Sequence, residues 1–216
     1  MTSLKQVIKK LFPDSVRLYR SLQRIAGYGE SHWVREVMDA ETAKLVQQVS
    51  HPEMTVLEIS GNKWGQKGTF KKYTSADYPE FDVCKGPLTE KFDLIIAEQV
   101  FEHLQWPYRA GRNIYQMLNP GGYFLISTPF LLKVHNYPID CSRWTETGLR
   151  YFLAECGFPL ESMTTASWGN RACIKANLHD WINYHPWLHS LRNEPEFPAV
   201  VWGLFRKTED DSYPHV

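Results

Sequence analysis

Apolar side chains recur at helical spacing from the start of the chain, where Leu4, Val7, Ile8, Leu11 and Phe12 alternate with Lys5, Lys9 and Lys10. Pro13 interrupts the pattern, and Val16 to Ile25 resumes it with Arg17, Arg20 and Arg24. A second helix is predicted over Ser31 to Val49, with Trp33, Val37, Ala40, Leu45, Val46 and Val49 on one side. His51-Pro52 ends it, because proline pushes the residue before it out of the helical region. The period then changes. TVLEIS (55–60), FDLIIAEQ (92–99) and YFLISTPF (123–130) are short apolar runs of the kind that fill buried strands. A helical pattern covers Phe101 to Leu118, and Asn119-Pro120-Gly121-Gly122 reads as a turn. Thr145 is placed to cap a helix through Leu149, Tyr151, Phe152 and Leu153 that ends at Gly157. Residues 160–167 and 198–207 are predicted as further strands.

Continuous apolar strands separated by helices mean an α/β protein, with a mostly parallel sheet and helices on both faces. Residues 1–50 would form a helical amino-terminal cap and residues 51–216 the main domain. Residues 168–197, rich in aromatics and histidine, would be an insertion before the last strand. The chain has 216 residues, enough for one sizeable domain but not comfortably for two. Its 24 Lys and Arg balance 24 Asp and Glu. A neutral chain is a poor general binder of nucleic acid, whose affinity comes from displaced counterions. Residues 1–25 nevertheless carry six basic side chains against one acid, Asp14. Such a segment suits a lid with a wet basic face, or weak contact with an anionic membrane surface. No apolar run reaches the ~18 residues that span a bilayer, and MTSLKQVIKK lacks a secretory apolar core. The four cysteines form no CxxC pair. A cytoplasmic globular protein is expected.

In an open parallel sheet, ligands bind outside the carboxyl ends of the strands, near the point where strand order reverses. Glu58, Ser60, Gly61 and Asn62 follow the first predicted strand, Asp77 and Tyr78 the next, and Asp82 lies just beyond. Glu98 and Gln99 end FDLIIAEQ. An acid at one strand end and a second about 20 residues on suits a nucleoside, whose two ribose hydroxyls the second carboxylate can accept.

VLEISG, FDLIIAEQVFEHL, LNPGGYFLISTP and TETGLRYFLAECGF, in that order over residues 55–158, resemble class I S-adenosylmethionine-dependent methyltransferases of the small-molecule, type 11-like kind. The resemblance implies a Rossmann-like fold with S-adenosylmethionine as cofactor. Glu58 then matches the acid ending the first strand, and Ser60, Gly61 and Asn62 the turn beneath the methionine part. Asp77 matches the ribose-binding acid and Asp82 the acid near the adenine amino group, while Glu98 and Gln99 sit beneath the methyl donor. The sulfonium is already activated, so the protein supplies alignment and a base. Two departures from the pattern stand out. Ser60 and Asn62 replace glycines of the usual turn, and the links Gly61–Asp77 and Asp77–Phe92 are too short for full helical crossovers. They leave as the alternative a non-catalytic methyltransferase-like binding or scaffolding protein with a degenerate cofactor site. A dinucleotide enzyme is disfavoured, since no GxGxxG turn is present.

HNYPIDCSRW (135–144) follows the strand beside which this fold places substrate. His135 and His103 are the candidate bases for a small-molecule acceptor, and Asp140 and Arg143 the candidate substrate contacts, with Arg143 suited to a phosphate. Glu102 reads as a local capping acid. AEQVFEHL lacks the Asn/Asp-Pro-Pro-aromatic motif of base-amino methylation. That absence argues against methylation of nucleic-acid bases on their amino groups, and a phosphate held by Arg143 would suit O-methylation of a sugar or nucleotide-linked intermediate. His185 and His189 share the i, i+4 spacing of metal ligands, but Pro186, Trp181 and Trp187 around them point to aromatic packing, and no metal is expected there or at His179.

Overall fold

The structure is a computed structural model that describes residues 27–210. The predicted basic helices of residues 1–25 lie outside the described residues. The elements follow in the order α1 (Trp33–Val49), β1 (Thr55–Ile59), β2 (Lys72–Ala76), β3 (Phe92–Glu98), α2 (Pro107–Met117), β4 (Leu118–Pro129), α3 (Glu146–Glu155), β5 (Met163–Trp168), α4 (Arg171–Ala176) and β6 (Val200–Arg206). Six strands form one sheet in the order β2-β1-β3-β4-β6-β5. Strands β1 to β4 pair in parallel, and β6 runs antiparallel to both β4 and β5. This is the mostly parallel α/β sheet expected from the apolar runs.

The two-residue period of the strands sorts their side chains to the two faces. Leu57, Ile95, Ala97, Phe124, Ile126 and Phe205 meet Ile114, Tyr115 and Met117 of α2 and Leu149, Phe152 and Leu153 of α3. On the other face Val56, Leu94, Ile96, Leu125 and Leu204 pack with Val46 of α1, while Trp33, Val34 and Met38 of α1 pack against Trp168, Val200 and Trp202. Burying a side chain of this size contributes about 1.5–3 kcal/mol, so both helical layers are held by apolar area. The segment before α1 also hydrogen-bonds the histidine-rich stretch: Trp33 N–H donates to Ile182 O at 2.8 Å, and Tyr184 N–H to Ser31 O at 3.0 Å.

Three predicted boundaries move, each for a local reason. The helix expected over 101–118 splits into a short 3-10 turn, Phe101–His103, and α2. Pro107 is why: it starts α2 well but holds Trp106 at φ −128°, ψ 63°, outside the helix. The Asn119-Pro120-Gly121-Gly122 turn is absorbed into the start of β4 as an irregularity, with a register shift between Phe92 and Leu94 and φ +72° at Gly121. The link from β1 to β2 contains only a 3-10 turn, Trp64–Gln66, and β2 leads to β3 without an intervening helix or strand among the described residues. The Thr145 cap is present, its Oγ1 accepting from Gly148 N–H at 3.0 Å, and Gly157 follows α3 at φ +112°.

Candidate active site

Strand order reverses at β1, with β2 on one side and β3 on the other, so a crevice opens outside Ile59, Ala76 and Glu98. Ser60 and Gln99, each directly after its strand, both have φ +57°. This left-handed turn lets the chain leave the sheet edge abruptly, and Gln99 is held there by its N–H donating to Ser127 O at 2.8 Å.

Glu58 is buried and fully engaged. Its carboxylate accepts from Lys63 N–H at 3.1 Å, Trp64 N–H at 2.8 Å and the Tyr73 hydroxyl at 2.6 Å. It thus holds the turn in shape from below. Gly61 must be glycine in this arrangement, since a Cβ there would lie 2.4 Å from Glu58 Oε1. Burial, and the hydrogen bond to Glu58, push the Tyr73 phenol well above its ordinary pKa. Asn62 lies in the same turn. Glu98 accepts from Lys63 Nζ at 3.0 Å, Trp64 Nε1 at 3.0 Å and Thr42 Oγ1 at 3.1 Å, tying the ends of β1 and β3 to α1. Asp77 differs: it is exposed at the end of β2, and Ser75 Oγ donates to it at 3.3 Å. Asp82, one loop further, accepts from Cys84 N–H at 3.0 Å, with Lys85 Nζ 3.8 Å away.

The second part of the edge is built by the turn after β3 and the loop after β4. Glu102 has no exposed surface, and neither carboxylate oxygen has a hydrogen-bond partner. Burial raises its pKa to about 7, against the pull of the Arg143 and Arg35 charges. His103 lies beside it, with Nε2 3.6 Å from Glu102 Oε1 and Nδ1 hydrogen-bonded to Ile139 O. The rings of His103 and His135 meet edge to face with centroids 4.9 Å apart. Asp140 Oδ2 accepts from His135 N–H at 2.9 Å and lies 3.2 Å from His135 Nδ1. Arg143 in turn grips both oxygens of Asp140, Nη2 donating to Oδ2 at 2.5 Å. Burial works against the Asp140 carboxylate, yet the Arg143 and His135 hydrogen bonds outweigh it and hold its pKa low. Burial lowers the His135 pKa, so its neutral form is favoured. Trp181 closes the far side, its ring 5.6 Å from that of His135.

The structure therefore gathers His103, His135, Asp140 and Arg143 into one constellation, and Glu58, Ser60, Gly61, Asn62, Glu98 and Gln99 around the neighbouring turns. Asp77 and Asp82 stand on the β2 side of the crevice. Sequence reasoning passed over Glu102 as a capping acid; its adjacency to His103 directly after a strand end was the available signal. It also missed Lys63, Trp64 and Tyr73, whose role depends on packing. The rings of His185 and His189 are taken up by aromatic neighbours: His189 stacks on Trp33 at 4.0 Å and 6°, and His185 meets Tyr28 at 4.8 Å. A shallow cleft of about 250 Å³ beside His51, Met54, Asp93 and Tyr123 lies at the opposite, amino-terminal edge of the strands.

Residues 22–167, more than half of the chain, match the family described as methyltransferase domain. The chain belongs to this family, an enzyme of the class I S-adenosylmethionine-dependent methyltransferases. Solved structures share its fold. A methyltransferase of Archaeoglobus fulgidus superposes with a TM-score of 0.54 at 12% identity, over 80% of this chain and 94% of that one. An S-adenosylmethionine-dependent methyltransferase of Mesorhizobium loti gives 0.52 at 15%, over 78% and 98%. Phosphoethanolamine N-methyltransferase 2 of Haemonchus contortus, solved with S-adenosylmethionine, gives 0.52 at 10%, over 79% and 52%. No curated protein matches the chain in sequence. Among the described residues, no helix is long and apolar enough to cross a membrane.

Proposed function

We propose that the enzyme transfers the methyl group of S-adenosylmethionine to a hydroxyl of a small cytoplasmic acceptor, a sugar or a nucleotide-linked sugar. The cofactor lies over the Ser60–Asn62 turn, with Asp77 accepting the ribose hydroxyls and Asp82 toward the adenine. Gln99 flanks the methyl group. Glu58 and Glu98 act from beneath, as the frame of the turn. In the reaction the acceptor oxygen forms a bond to the methyl carbon, the carbon–sulfur bond breaks with its electrons passing to sulfur, and S-adenosylhomocysteine leaves neutral. The hydroxyl proton goes to the group formed by Glu102, His103 and His135.

The observation that carries this reading is that group itself. A buried carboxylate with a pKa near neutrality stands beside two imidazoles, one of them kept neutral, at the carboxyl edge of β3 and β4. A general base works best when its pKa lies near the operating pH. Tyr137 and Trp181, both open to solvent beside His135, offer aromatic faces of the kind on which a sugar ring stacks. Arg143 is occupied by Asp140, so its first role is to fix the loop, with a phosphate of the acceptor as a further partner. The neutral charge of the chain disfavours nucleic acid as acceptor.

Incubation with S-adenosylmethionine and a panel of sugars and sugar nucleotides, read by mass spectrometry, tests the proposal. A product heavier by one methylene on oxygen, lost in a His135→Ala, Arg143→Ala double variant, is expected. Cofactor binding without turnover on any acceptor would instead leave a binding protein, and full activity in the double variant would remove the basis for placing the acceptor there.

A further inference from the structure

Glu102, His103 and His135 each present one ligand atom, and these atoms lie within 4.8 Å of one another. We propose that the three side chains bind a divalent transition-metal ion, zinc or its chemical neighbours iron(II) and cobalt(II), which holds and ionises the acceptor oxygen. The inference rests on the methyl-transfer reading of the same site and deepens it: His103 and His135 hold the ion, and the ion takes over the task of making the hydroxyl acidic.

Four observations carry it. First, both oxygens of Glu102 are buried without a hydrogen-bond partner. A native interior leaves few such atoms, and each calls for a partner. Second, the neighbouring imidazole does not satisfy Glu102. Glu102 Oε1 and His103 Nε2 stand 3.6 Å apart, too far to share a proton in a normal hydrogen bond. Ligand atoms about 2 Å from one tetrahedral ion stand roughly 3.3 Å apart, close to this spacing. Third, the histidines are oriented as metal ligands are. His103 Nδ1 meets Ile139 O, so it carries the hydrogen and leaves the Nε2 lone pair facing Glu102. His135 Nδ1 stands 3.2 Å from Asp140 Oδ2, and Arg143 holds Asp140 with two hydrogen bonds, so Nε2 is the nitrogen left for an ion. Imidazole ligands are fixed by a carbonyl or carboxylate in this way. Fourth, no arginine forms an ion pair with Glu102 among the described residues: Arg143 is paired with Asp140, and Arg35 of α1 lies 3.4 Å from Asp39.

Two imidazoles and one carboxylate suit this class of ion better than magnesium or calcium, which take all-oxygen sites. Three protein ligands leave coordination positions open, as catalytic sites do. A bound hydroxyl loses its proton near neutral pH, just as bound water does. With the ion bound the three side chains are its ligands, so the acceptor oxygen would reach the sulfonium as an alkoxide and its proton would pass to solvent instead of to them.

Cobalt(II) titrated into the chelator-treated, full-length protein tests this directly through the visible absorption of the bound ion. One equivalent is expected to bind with the intense bands of a low-coordinate site. Affinity should fall at least ~100-fold in Glu102→Gln and His135→Ala, and by about 10–100-fold in Asp140→Asn, which touches only the supporting carboxylate. Glu102→Gln and Asp140→Asn preserve shape, and near-UV circular dichroism identifies any variant that has lost its fold. Absence of the bands in the wild-type protein, or equal cobalt affinity in folded variants, would overturn the proposal. S-adenosylhomocysteine binding to the wild-type protein, measured in parallel by calorimetry, reports on the cofactor reading separately, and its absence would count against that reading whatever cobalt does.

Discussion

Glu102 allows a sharp test of how the buried edge is built. Its pKa is raised from 4.5 to about 7, first of all by burial. The folded protein therefore holds this proton between those values while the unfolded chain releases it. Stability must fall as pH rises through the same window, because there the unfolded state binds fewer protons. At about 1.4 kcal/mol per pKa unit, the full effect is roughly 3 kcal/mol above pH 7, and about 2–3 kcal/mol accrues between pH 5 and pH 8. Glu102→Gln keeps the shape and removes the ionisation. The stability of the variant relative to the wild type should rise by about 2–3 kcal/mol from pH 5 to pH 8. Urea denaturation of both proteins at the two pH values, in chelator and followed by tryptophan fluorescence, measures this difference. Other titrating groups are common to both proteins and largely cancel. A difference that stays constant within about 0.5 kcal/mol would refute the buried, uncompensated carboxylate.

Three further outcomes are expected. Asp77→Ala should weaken binding of S-adenosylhomocysteine at least tenfold in calorimetry, since charge-assisted hydrogen bonds contribute about 1.5–3 kcal/mol; its exposed position predicts an unchanged melting temperature. Gly61→Ala forces a Cβ to within 2.4 Å of Glu58 Oε1 and should lower stability by about 1–3 kcal/mol in thermal unfolding, with cofactor binding weakened as well. Thr145→Ala removes the acceptor for Gly148 N–H and should cost about 1 kcal/mol without altering cofactor binding.

The apolar runs at 55–60, 92–99 and 123–130 were enough to identify three parallel strands, because a strand covered on both faces has no polar side to interrupt it. The Thr145 cap and the stop at Gly157 were equally local, set by one hydroxyl and by one residue free to adopt positive φ. The acids at the strand ends were legible too, since topology dictates where a parallel sheet opens. What those acids do was not. Glu58 and Asp77 follow successive strands and look alike as letters, yet one is buried under three donors and the other stands in solvent. That contrast arises because Lys63, Trp64 and Tyr73 fold back over β1 and leave the end of β2 open. Glu102 read as a capping acid because nothing within a turn of it reveals that the loop after β4 brings His135 alongside. Secondary structure is decided by neighbours a few residues apart and so is written locally. A site assembled from chain segments more than thirty residues apart is decided by packing, which alone sets which charges lose their water and which find a partner.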